Sequence, residues 1–463
     1  MKTIISFLVT TITVATFFTN AFAADLWYTE GNYAHTIRIK LILTNTLDFD
    51  RSDCPVVVPR ENLTLQNLHQ MGVTVVDPSL PARPIPSKEI MIKQGGHNIR
   101  EETNGQQLFF QMDDLDRDGI WDELFFQTDI GAHEQKTIYL YIGINQRGWM
   151  PHGTHAGIGS YCHHLIPFWE SANVGWKLWF SDTCDVFGKR EPLLMSHDLY
   201  MKNLNGYGVK YEYGSDIQRV SNSFGGGAIC LFEYPSFPDS VSRPRFARPS
   251  SEKPIGWDSN MEGPPLTDTR FAYEVVVNGP VRSMIKAKSM GWRTDLGEYE
   301  LDQLYTVYTN QNYSTCRVTF TKFLTSREGV MFGCGIRKNS KEFSCYQDGN
   351  IVITNGKDEL SDPDDDTGAK SYEVEFVGNA LAVKDVYNPS YQFVKSYSGN
   401  HCFKVPKTED NIFEYMIFAT WDEGVVYNTV ESFRKYVIKS AMEFNNPLLV
   451  KSVGVENKHA SDR

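Results

Sequence analysis

Alternation of apolar and polar residues with a period of two is the feature that most limits what this chain can fold into. The pattern recurs at residues 35–44, 136–142, 270–277, 304–308, 315–323 and 372–377. Side chains that alternate in this way point to opposite faces of a strand, so one face can be buried while the other meets water. Glycine, proline, asparagine and aspartate separate the segments, as turns between antiparallel strands require.

The predicted fold is all-β: a large antiparallel β-sandwich of the super-sandwich type, with few short helices. Residues 24–445 are assigned to a single β-sandwich catalytic domain with a sub-boundary near 150–165, and residues 446–463 to a carboxy-terminal tail. One helix is predicted near the end of the chain, where Asn428 can cap it and the apolar residues that follow fall on one face. A second helical stretch is considered around residues 58–71.

The first 23 residues have the composition of a secretory signal peptide. Lys2 gives a positively charged start, residues 4–18 are largely apolar, and residues 21–23 form a small-x-small cleavage site. The apolar stretch is too short to be a good membrane-spanning helix. The mature protein is therefore expected in the periplasm, without a membrane anchor.

The charge of the chain limits its partners. The 57 acidic residues outnumber the 45 Lys and Arg residues, which gives a formal net charge of −12. This balance argues against a nucleic-acid partner or an anionic membrane surface. An anionic oligosaccharide remains the expected partner, since a local basic pocket can exist inside an acidic protein. The eight cysteines permit disulfides in an exported chain, and the candidate pairs are Cys334 with Cys345 and Cys162 with Cys184.

A run of carboxylates in residues 114–123 predicts a calcium site. The predicted ligands are Asp114, Asp116, Asp118, Ile120 and Asp122. Alternate oxygens on a tight turn, with Gly119 at the bend, can converge on one hard cation. Phe125 stands where a helix-loop-helix site would have a glutamate, and both flanks are predicted strands, so the loop is placed between two strands. Calcium there is expected to be structural; the alternative is a solvated acidic turn without metal.

Tryptophans are the candidate substrate-binding residues. Aromatic faces stack on the apolar faces of sugar rings. The segment from Phe168 to Phe180 concentrates three tryptophans, and the residues chosen for sugar stacking are Trp169, Trp176 and Trp292. Core packing is the competing interpretation for each of them.

The central segment, residues 196–227, is rich in polar reactive groups. The candidate catalytic residues are His197, Tyr211, Tyr213 and Arg219. The two tyrosines are two positions apart, so on a strand they share a face, and a neighbouring cation makes a tyrosine a better base. The alternative is a tyrosine-rich strand pair with a glycine bulge. The glycines at 225–227 lack the following Lys-Ser/Thr of a phosphate loop, so no organic cofactor is predicted.

Three segments resemble a family of exported bacterial proteins of long-unassigned function, found mainly in Bacteroidota polysaccharide-utilisation loci. Residues 43–51 resemble the family's N-P-L-x-x-x-R start, and residues 114–127 resemble its D-x-D-G-D-G-x-x-D-E-L block. Residues 278–282, followed by Trp292, resemble its N-G-P-V-R…W segment. The similarity runs from about His35 to Phe444, and residues 206–227 follow the family's glycine-rich pattern only loosely.

The family includes an oligosaccharide dehydratase of ulvan breakdown. The resemblance therefore implies removal of water from a non-reducing-end glucuronate or iduronate next to a sulfated rhamnose, which leaves a 4,5-unsaturated uronate. It transfers no catalytic role to a position of this chain. The reaction needs a neutralised substrate carboxylate, a base at C5 and an acid at the departing C4 hydroxyl. Tyr211 or Tyr213 as base or acid, His197 as partner and Arg219 as carboxylate clamp would meet these needs.

Three functions remain open on the sequence. The favoured one is a carbon–oxygen lyase that dehydrates uronate-ended oligosaccharides. The second is a glycoside hydrolase that acts on the same saccharides, and the third is a calcium-stabilised carbohydrate-binding protein without turnover. The product distinguishes them, because dehydration removes one water, hydrolysis adds one, and binding changes nothing.

Overall fold

The protein is described from a computed structural model. The structure describes residues 26–30, 33–82, 102–143, 150–161, 164–179, 182–202, 212–220, 223–234, 237, 239–244, 269–361 and 371–458. The predicted signal peptide (1–23) and Tyr211 lie outside them. In the described part of the chain, every helix is too short or too polar to cross a membrane.

Strands dominate the described chain. The amino-terminal strands are β1 (Thr29–Glu30), β2 (Tyr33–Ala34), β3 (Ile37–Thr44), β4 (Arg51–Pro59), β5 (Gly72–Asp77), β6 (Glu102–Thr103), β7 (Gln106–Gln107), β8 (Phe110–Asp113), β9 (Glu123–Ile130) and β10 (Gln135–Gly143). The central strands are β11 (Thr154–Tyr161), β12 (His164–Ser171), β13 (Val174–Trp179), β14 (Thr183–Lys189), β15 (Gly214–Asp216) and β16 (Ala228–Phe232).

The remaining strands and one helix complete the chain. The strands are β17 (Arg270–Asn278), β18 (Arg282–Arg293), β19 (Gly297–Tyr308), β20 (Tyr313–Thr325), β21 (Met331–Arg337), β22 (Lys341–Asp348), β23 (Ile351–Ser361), β24 (Ser371–Val383), β25 (Ser390–Val394), β26 (Asn400–Val405), β27 (Ile412–Trp421) and β28 (Leu449–Asn457). The helix is α1 (Val430–Asn445). The six predicted alternating segments fall within β3, β10, β17, β19, β20 and β24, apart from two residues that precede β3.

The strands pair into six sheets within the described residues. The strand orders are β2-β1-β6, β28-β3-β10-β5-β7, β4-β9-β8, β11-β12-β13-β14-β15, β16-β21-β26-β25 and β17-β18-β19-β20-β27-β24-β23-β22. Neighbours along these sheets run antiparallel, for example β18 with β19 and β24 with β27.

Two apolar cores show how the sheets are layered. The larger core includes Trp169, Tyr305 and Phe332, and it lies between the eight-stranded sheet and the two sheets formed by β11–β15 and by β16, β21, β26 and β25. The smaller core includes Leu41 and Phe126, and it lies between the sheets that contain β3 and β9. Face-to-face packing of antiparallel sheets defines a β-sandwich. The predicted all-β sandwich is therefore confirmed.

The predicted helix near the end of the chain is present as α1. Thr429, rather than Asn428, is its N-cap, because the Thr429 hydroxyl accepts the amide of Ser432 at 3.2 Å and the Ser432 hydroxyl returns the contact. Phe433 and Val437 are completely buried on the face that the periodicity predicted. An amphipathic helix of this length is stabilised mainly by such packing.

Two predictions from the sequence differ from the structure. Residues 449–457 of the predicted tail form β28, which pairs with β3 along its whole length. A register shift between Ser452 and Gly454 breaks the alternation there, so the period-two pattern is hidden. Residues 58–71 hold only two short 3₁₀ turns, Arg60–Asn62 and Leu68–Gln70, rather than a longer helix.

Candidate functional site

The sheet β11–β15 has two chemically different faces. Its register places His155 opposite Glu170 and Lys177 opposite Asp185. Because residues directly opposite each other on paired strands share a face, alternate positions gather polar groups on one side and apolar groups on the other. The polar face carries His155, Glu170, Lys177, Asp185, Lys189 and Asp216.

The apolar face of this sheet holds two of the predicted sugar-stacking tryptophans. Trp169 is completely buried, stacks on Tyr305 with 4.4 Å between ring centroids, and donates its indole N–H to Ser314 Oγ at 3.0 Å. Trp176 is 1% exposed in the same core. Alternation explains this placement, because their odd and even positions put both rings on the face opposite Glu170.

Trp292 on β18 is also completely buried, 5.3 Å from the Tyr299 ring. None of these three rings presents a face to a sugar in this structure. The competing interpretation, core packing, describes them, and they take no part in the proposals below.

Glu170 lies at the centre of the polar face and is completely buried. Its carboxylate pairs with the Lys189 ammonium and accepts the amides of Met195 at 3.1 Å and Ser196 at 2.8 Å. Burial alone would raise the pKa of Glu170, but Lys189, together with hydrogen bonds that include those from His155 and Met195, lowers it to about 2. Glu170 is therefore ionised at neutral pH.

Lys189 is buried together with Glu170. Burial lowers the pKa of its ammonium more than Glu170 raises it. Its other protons go to the backbone carbonyls of Ser171 at 2.6 Å and Leu193 at 2.8 Å. Since every proton has an acceptor, we take the Lys189–Glu170 pair to be ionised on both sides.

His155 is held by Glu170. Its Nδ1 lies 3.4 Å from Glu170 Oε1, its ring packs 5.5 Å from that of Phe168, and its side chain is 20% exposed. An ionised carboxylate can only accept, so the proton of the neutral ring lies on Nδ1 and the lone pair on Nε2. An imidazole held in this way can act as a general base.

His197 lies beside His155. The ring centroids are 6.3 Å apart, and His197 is 53% exposed with its Nδ1 3.6 Å from Asp198 Oδ1. The site therefore combines one imidazole fixed by a buried carboxylate with a second one that faces solvent. Two such groups can remove a proton at one atom of a ligand and deliver a proton at another.

The rest of the polar face is a second buried charge cluster. Lys177 lies between Asp185 and Asp216, 3.2 Å from each carboxylate, and is 1% exposed. Burial raises the pKa of Asp185, Lys177 lowers it, and Asp216 raises it again, with a net increase. Three charges on one buried sheet face are costly unless each one is paired.

Residues 193–202 cover the polar face. Tyr200 packs on Phe168 with 5.2 Å between ring centroids, and its ring lies 5.2 Å from the Lys177 ammonium. Burial raises the pKa of Tyr200 well above its ordinary value, so it is a neutral hydroxyl. The segment ends in a π-helical turn, Asp198–Lys202. Such turns are rare and are frequent at functional sites.

The predicted catalytic residues are only partly brought together. His197 is at the site. Tyr213 is half-buried just before β15, where its ring lies 6.4 Å from that of Phe187 and its carbonyl accepts the Arg190 amide at 2.9 Å. Arg219 is exposed beyond β15, and its amide donates to Asp358 on β23 at 2.9 Å.

Arg219 does not lie beside His197. His197 is next to β11, whereas Arg219 follows β15, and four strand spacings of about 4.8 Å each separate these two edges of the sheet. The sequence places the two residues 22 positions apart in one segment, but the chain between them crosses the whole sheet. The proposed pairing of His197 with an Arg219 clamp is therefore not supported by the geometry.

His155, Glu170 and Lys189 were not selected from the sequence. The available signal was Glu170 itself, a carboxylate inside the apolar run 165–169, because a charge on a buried strand needs a partner. His155 was considered only as a weak metal ligand. Its distance of fifteen residues from Glu170 gives no hint that the two meet across a hairpin.

The aspartate loop lies between β8 and β9, as predicted. Oxygens of Asp114, Asp116 and Asp122 lie within 4.8 Å of one another. Asp118 instead accepts the Ile120 amide at 2.7 Å. Gly119 has φ +87°, which glycine adopts without strain. This set of hard oxygen donors suits calcium.

The loop also contacts the eight-stranded sheet. The Arg117 guanidinium lies 2.9 Å from Glu274 and 2.7 Å from the carbonyl of Val275, both on β17. The shape of the loop therefore bears on the contact between the amino-terminal sandwich and the larger one.

A cavity of about 580 Å³ lies between the same two parts of the molecule. Four cations line it, but each has a partner: Arg282 contacts Asp113 and Glu123, Arg51 contacts Glu443, and Glu414 contacts both remaining cations, Arg317 and Lys384. The cavity is therefore a balanced interface rather than a cationic hollow.

Comparison with known proteins gives a family and a distant likeness. No curated protein matches the chain. A protein in glycosyl hydrolase family 38 from Enterococcus faecalis is 9% identical with a TM-score of 0.44, and covers 91% of this chain and 48% of its own. An alpha-mannosidase from Enterococcus faecalis is 10% identical with a TM-score of 0.41, over 91% of this chain and 46% of its own. The chain thus spans about half the length of either structure.

A family model described as a domain of unknown function, DUF4861, matches residues 43–450. The match covers both sandwiches, the aspartate loop and the polar face of β11–β15. This chain belongs to the DUF4861 family.

Proposed function

We propose that this chain is an exported, periplasmic carbon–oxygen lyase that dehydrates the non-reducing-end uronic acid of ulvan-type oligosaccharides to a 4,5-unsaturated uronate. The observation that carries the proposal is the pair of imidazoles, His155 and His197, at the edge of a polar sheet face. The substrate class rests on the resemblance of three sequence segments to the family that includes the ulvan dehydratase.

The two imidazoles have the roles that dehydration needs. His155 Nε2 takes the proton from C5, while Glu170 keeps Nδ1 protonated and the ring oriented. His197, as an imidazolium, gives a proton to the C4 oxygen, which leaves as water while the C4–C5 double bond forms. Its positive charge also offsets the charge that develops beside the substrate carboxylate.

Glycoside hydrolysis fits this site less well. It uses two carboxyl groups on either side of the scissile bond, one of them a protonated acid. The carboxylates of the described polar face are Glu170, Asp185 and Asp216, and each is at least 97% buried by side-chain exposure and paired with a lysine. The accessible titratable groups that we assign here are imidazoles, which suit proton transfer to and from carbon and oxygen.

We further propose that the aspartate loop binds calcium in a structural role. Asp114, Asp116 and Asp122 would hold the ion through carboxylate oxygens. The ion would relieve repulsion among the carboxylates and keep Arg117 in contact with β17. It takes no part in the dehydration.

Mass spectrometry of lyase-trimmed ulvan oligosaccharides tests the function. Loss of one water from the substrate is the expected result. Gain of one water on cleavage would select the hydrolase, and an unchanged mass with measurable binding would select the carbohydrate-binding protein; either outcome overturns the proposal.

A matched pair of histidine variants tests the site. His155→Asn is expected to lower turnover by about 10²–10⁴-fold, the usual contribution of a positioned acid or base. His133→Asn is the control, because His133 is exposed on another hairpin and has φ +52°, a backbone conformation that Asn tolerates. Equal turnover in the two variants would remove His155 from the mechanism.

A further inference from the structure

A second histidine cluster lies at the opposite edge of the larger sandwich. The edge strand β22 of the eight-stranded sheet meets β25 and β26 of the four-stranded sheet there. Three potential ligand atoms, one each from Glu342, Cys345 and His401, lie within 4.8 Å of one another. Tyr391 also contacts His401. Neither the fold nor the proposed dehydration requires these residues to meet.

A β-bulge brings Glu342 and Cys345 to one face. Residues three apart on a regular strand point to opposite faces. Here the register shifts between Glu342 and Ser344, so one extra residue reverses the alternation. Glu342 is then opposite Gly356 and Cys345 opposite Thr354, on the same side of β23. Bulges re-aim side chains in this way next to functional sites.

The His401 ring is fixed by Glu342. Its Nε2 lies 2.8 Å from Glu342 Oε2, which also accepts the Thr354 hydroxyl at 2.6 Å. Burial would raise the pKa of Glu342, but the hydrogen bonds from His401 and Thr354 lower it. The ionised carboxylate accepts the Nε2 proton, so the neutral ring has its lone pair on Nδ1. A carboxylate behind a histidine is the usual outer partner of a metal-bound imidazole.

Two further groups face the Nδ1 lone pair. Cys345 Sγ lies 3.8 Å away and Tyr391 Oη 2.9 Å away. Two ligands of one tetrahedral zinc ion, with Zn–S of about 2.3 Å and Zn–N of about 2.0 Å, are about 3.5 Å apart. The observed sulfur–nitrogen separation is a few tenths of an ångström longer, a difference that a side-chain rotation can close.

We propose that Cys345 Sγ and His401 Nδ1 bind a soft divalent metal ion, zinc being the best fit, with Tyr391 beside an open coordination position and Glu342 as the outer partner of His401. Thiolate and imidazole ligands select zinc over calcium, in contrast to the all-oxygen aspartate loop. His401 is 5% exposed and Cys345 is exposed, so the ion can enter from the Cys345 side.

A metal-free role for the thiol is less consistent with its environment. Partial burial, with Glu342 nearby, raises the pKa of Cys345 to about 11, so the free thiol is a weak nucleophile. A bound cation deprotonates a coordinating thiol outright. A thiol–imidazole–carboxylate nucleophile is the competing interpretation, and the experiment below distinguishes it.

Cobalt titration of the whole mature protein tests the site, with calcium present throughout to keep the aspartate loop saturated. The wild type is expected to show thiolate-to-cobalt charge-transfer absorption that zinc abolishes. Cys345→Ser should remove the absorption, and Glu342→Gln should weaken cobalt affinity about 10–100-fold, the usual effect of losing an outer partner. Gln347→Ala, an exposed change on the same strand, is the control and should change neither.

Thiol alkylation gives a second readout that does not depend on a folded variant. Zinc should slow alkylation of Cys345 in the wild type at least tenfold, with the modified residue identified by peptide mapping. Absence of the cobalt band, its persistence in Cys345→Ser, or alkylation that zinc leaves unchanged would each overturn the metal site. Fast alkylation at neutral pH without metal would instead favour the nucleophile.

Discussion

His155 and His401 are two histidines that are each held by a glutamate, at opposite parts of the larger sandwich. Glu170 holds His155 through Nδ1 at 3.4 Å and is itself completely buried with Lys189. Glu342 holds His401 through Nε2 at 2.8 Å and is 13% exposed, with a threonine as its other partner. The same device thus leaves opposite ring nitrogens available.

The third partner decides what each imidazole can do. The available Nε2 of His155 belongs to a site whose neighbour is another imidazole, His197, so proton transfer is the chemistry on offer. The available Nδ1 of His401 meets a sulfur and a phenol, Cys345 and Tyr391, which favour a soft metal. An imidazole–carboxylate pair alone therefore does not indicate a function.

The same Glu→Gln change in the two regions should give the largest contrast. Glu170→Gln leaves Lys189 buried without a counter-charge, and we expect unfolding free energy to fall by about 3–5 kcal/mol, as when one partner of a buried ion pair is removed. Urea unfolding measures it. Glu373→Gln, which removes the exposed partner of Lys341, is the control and should cost almost nothing. A loss below about 1 kcal/mol for Glu170→Gln would contradict a buried ion pair.

Acid should weaken the His155 region through Glu170. The pKa of this carboxyl is lowered from 4.5 to about 2 in the folded protein. A lowered folded pKa stabilises the protein above the unfolded value, and the contribution, on the order of 3 kcal/mol, is lost as the pH falls from about 4.5 towards 2. The wild type and Glu170→Gln should therefore converge in stability over this range. Parallel pH profiles would exclude Glu170 as the cause.

Calcium removal should separate the aspartate loop from the zinc site. With free calcium at 100 times its Kd, chelation should lower unfolding free energy by about 2.7 kcal/mol. Asp114→Asn should abolish this response, whereas Cys345→Ser should keep it. Thermal unfolding with and without chelator measures both variants. A calcium response that depends on Cys345 would mean that the two metal sites are not independent.

Glu342→Gln should have the smallest effect on stability. The lost interaction is a hydrogen bond to a neutral imidazole rather than a buried ion pair, so about 1 kcal/mol is expected. Urea unfolding in the presence of a chelator measures this loss without the contribution of bound metal. A loss as large as that of Glu170→Gln would mean that the two carboxylates are used in the same way.

Local patterns predicted much of this fold. Period-two alternation located strands such as β10 and β20, and the caps and periodicity located α1. The aspartate loop was placed between two strands because its flanks lacked helical periodicity. These features depend on residues close together in sequence, which is where propensity and periodicity carry information.

The candidate site depends on features that local patterns do not show. Alternation could have assigned Trp169 and Glu170 to opposite faces, but not which face is buried against the eight-stranded sheet. The bulges at 342–344 and 452–454 reverse the alternation and leave no periodic signal. The meeting of His401 with Cys345, 56 residues apart, follows from sheet packing alone.

The pairing of β28 with β3 has a consequence for how the chain acquires its structure. Leu449 lies opposite Thr44, so this sheet joins segments from near the two ends of the sequence. Contacts of such long range form slowly, because the intervening chain must first be closed into a loop. While the chain is synthesised, β3 has no β28 to pair with until almost the last residue is added. That edge stays open for a chaperone or the translocation machinery to engage before the sandwich closes.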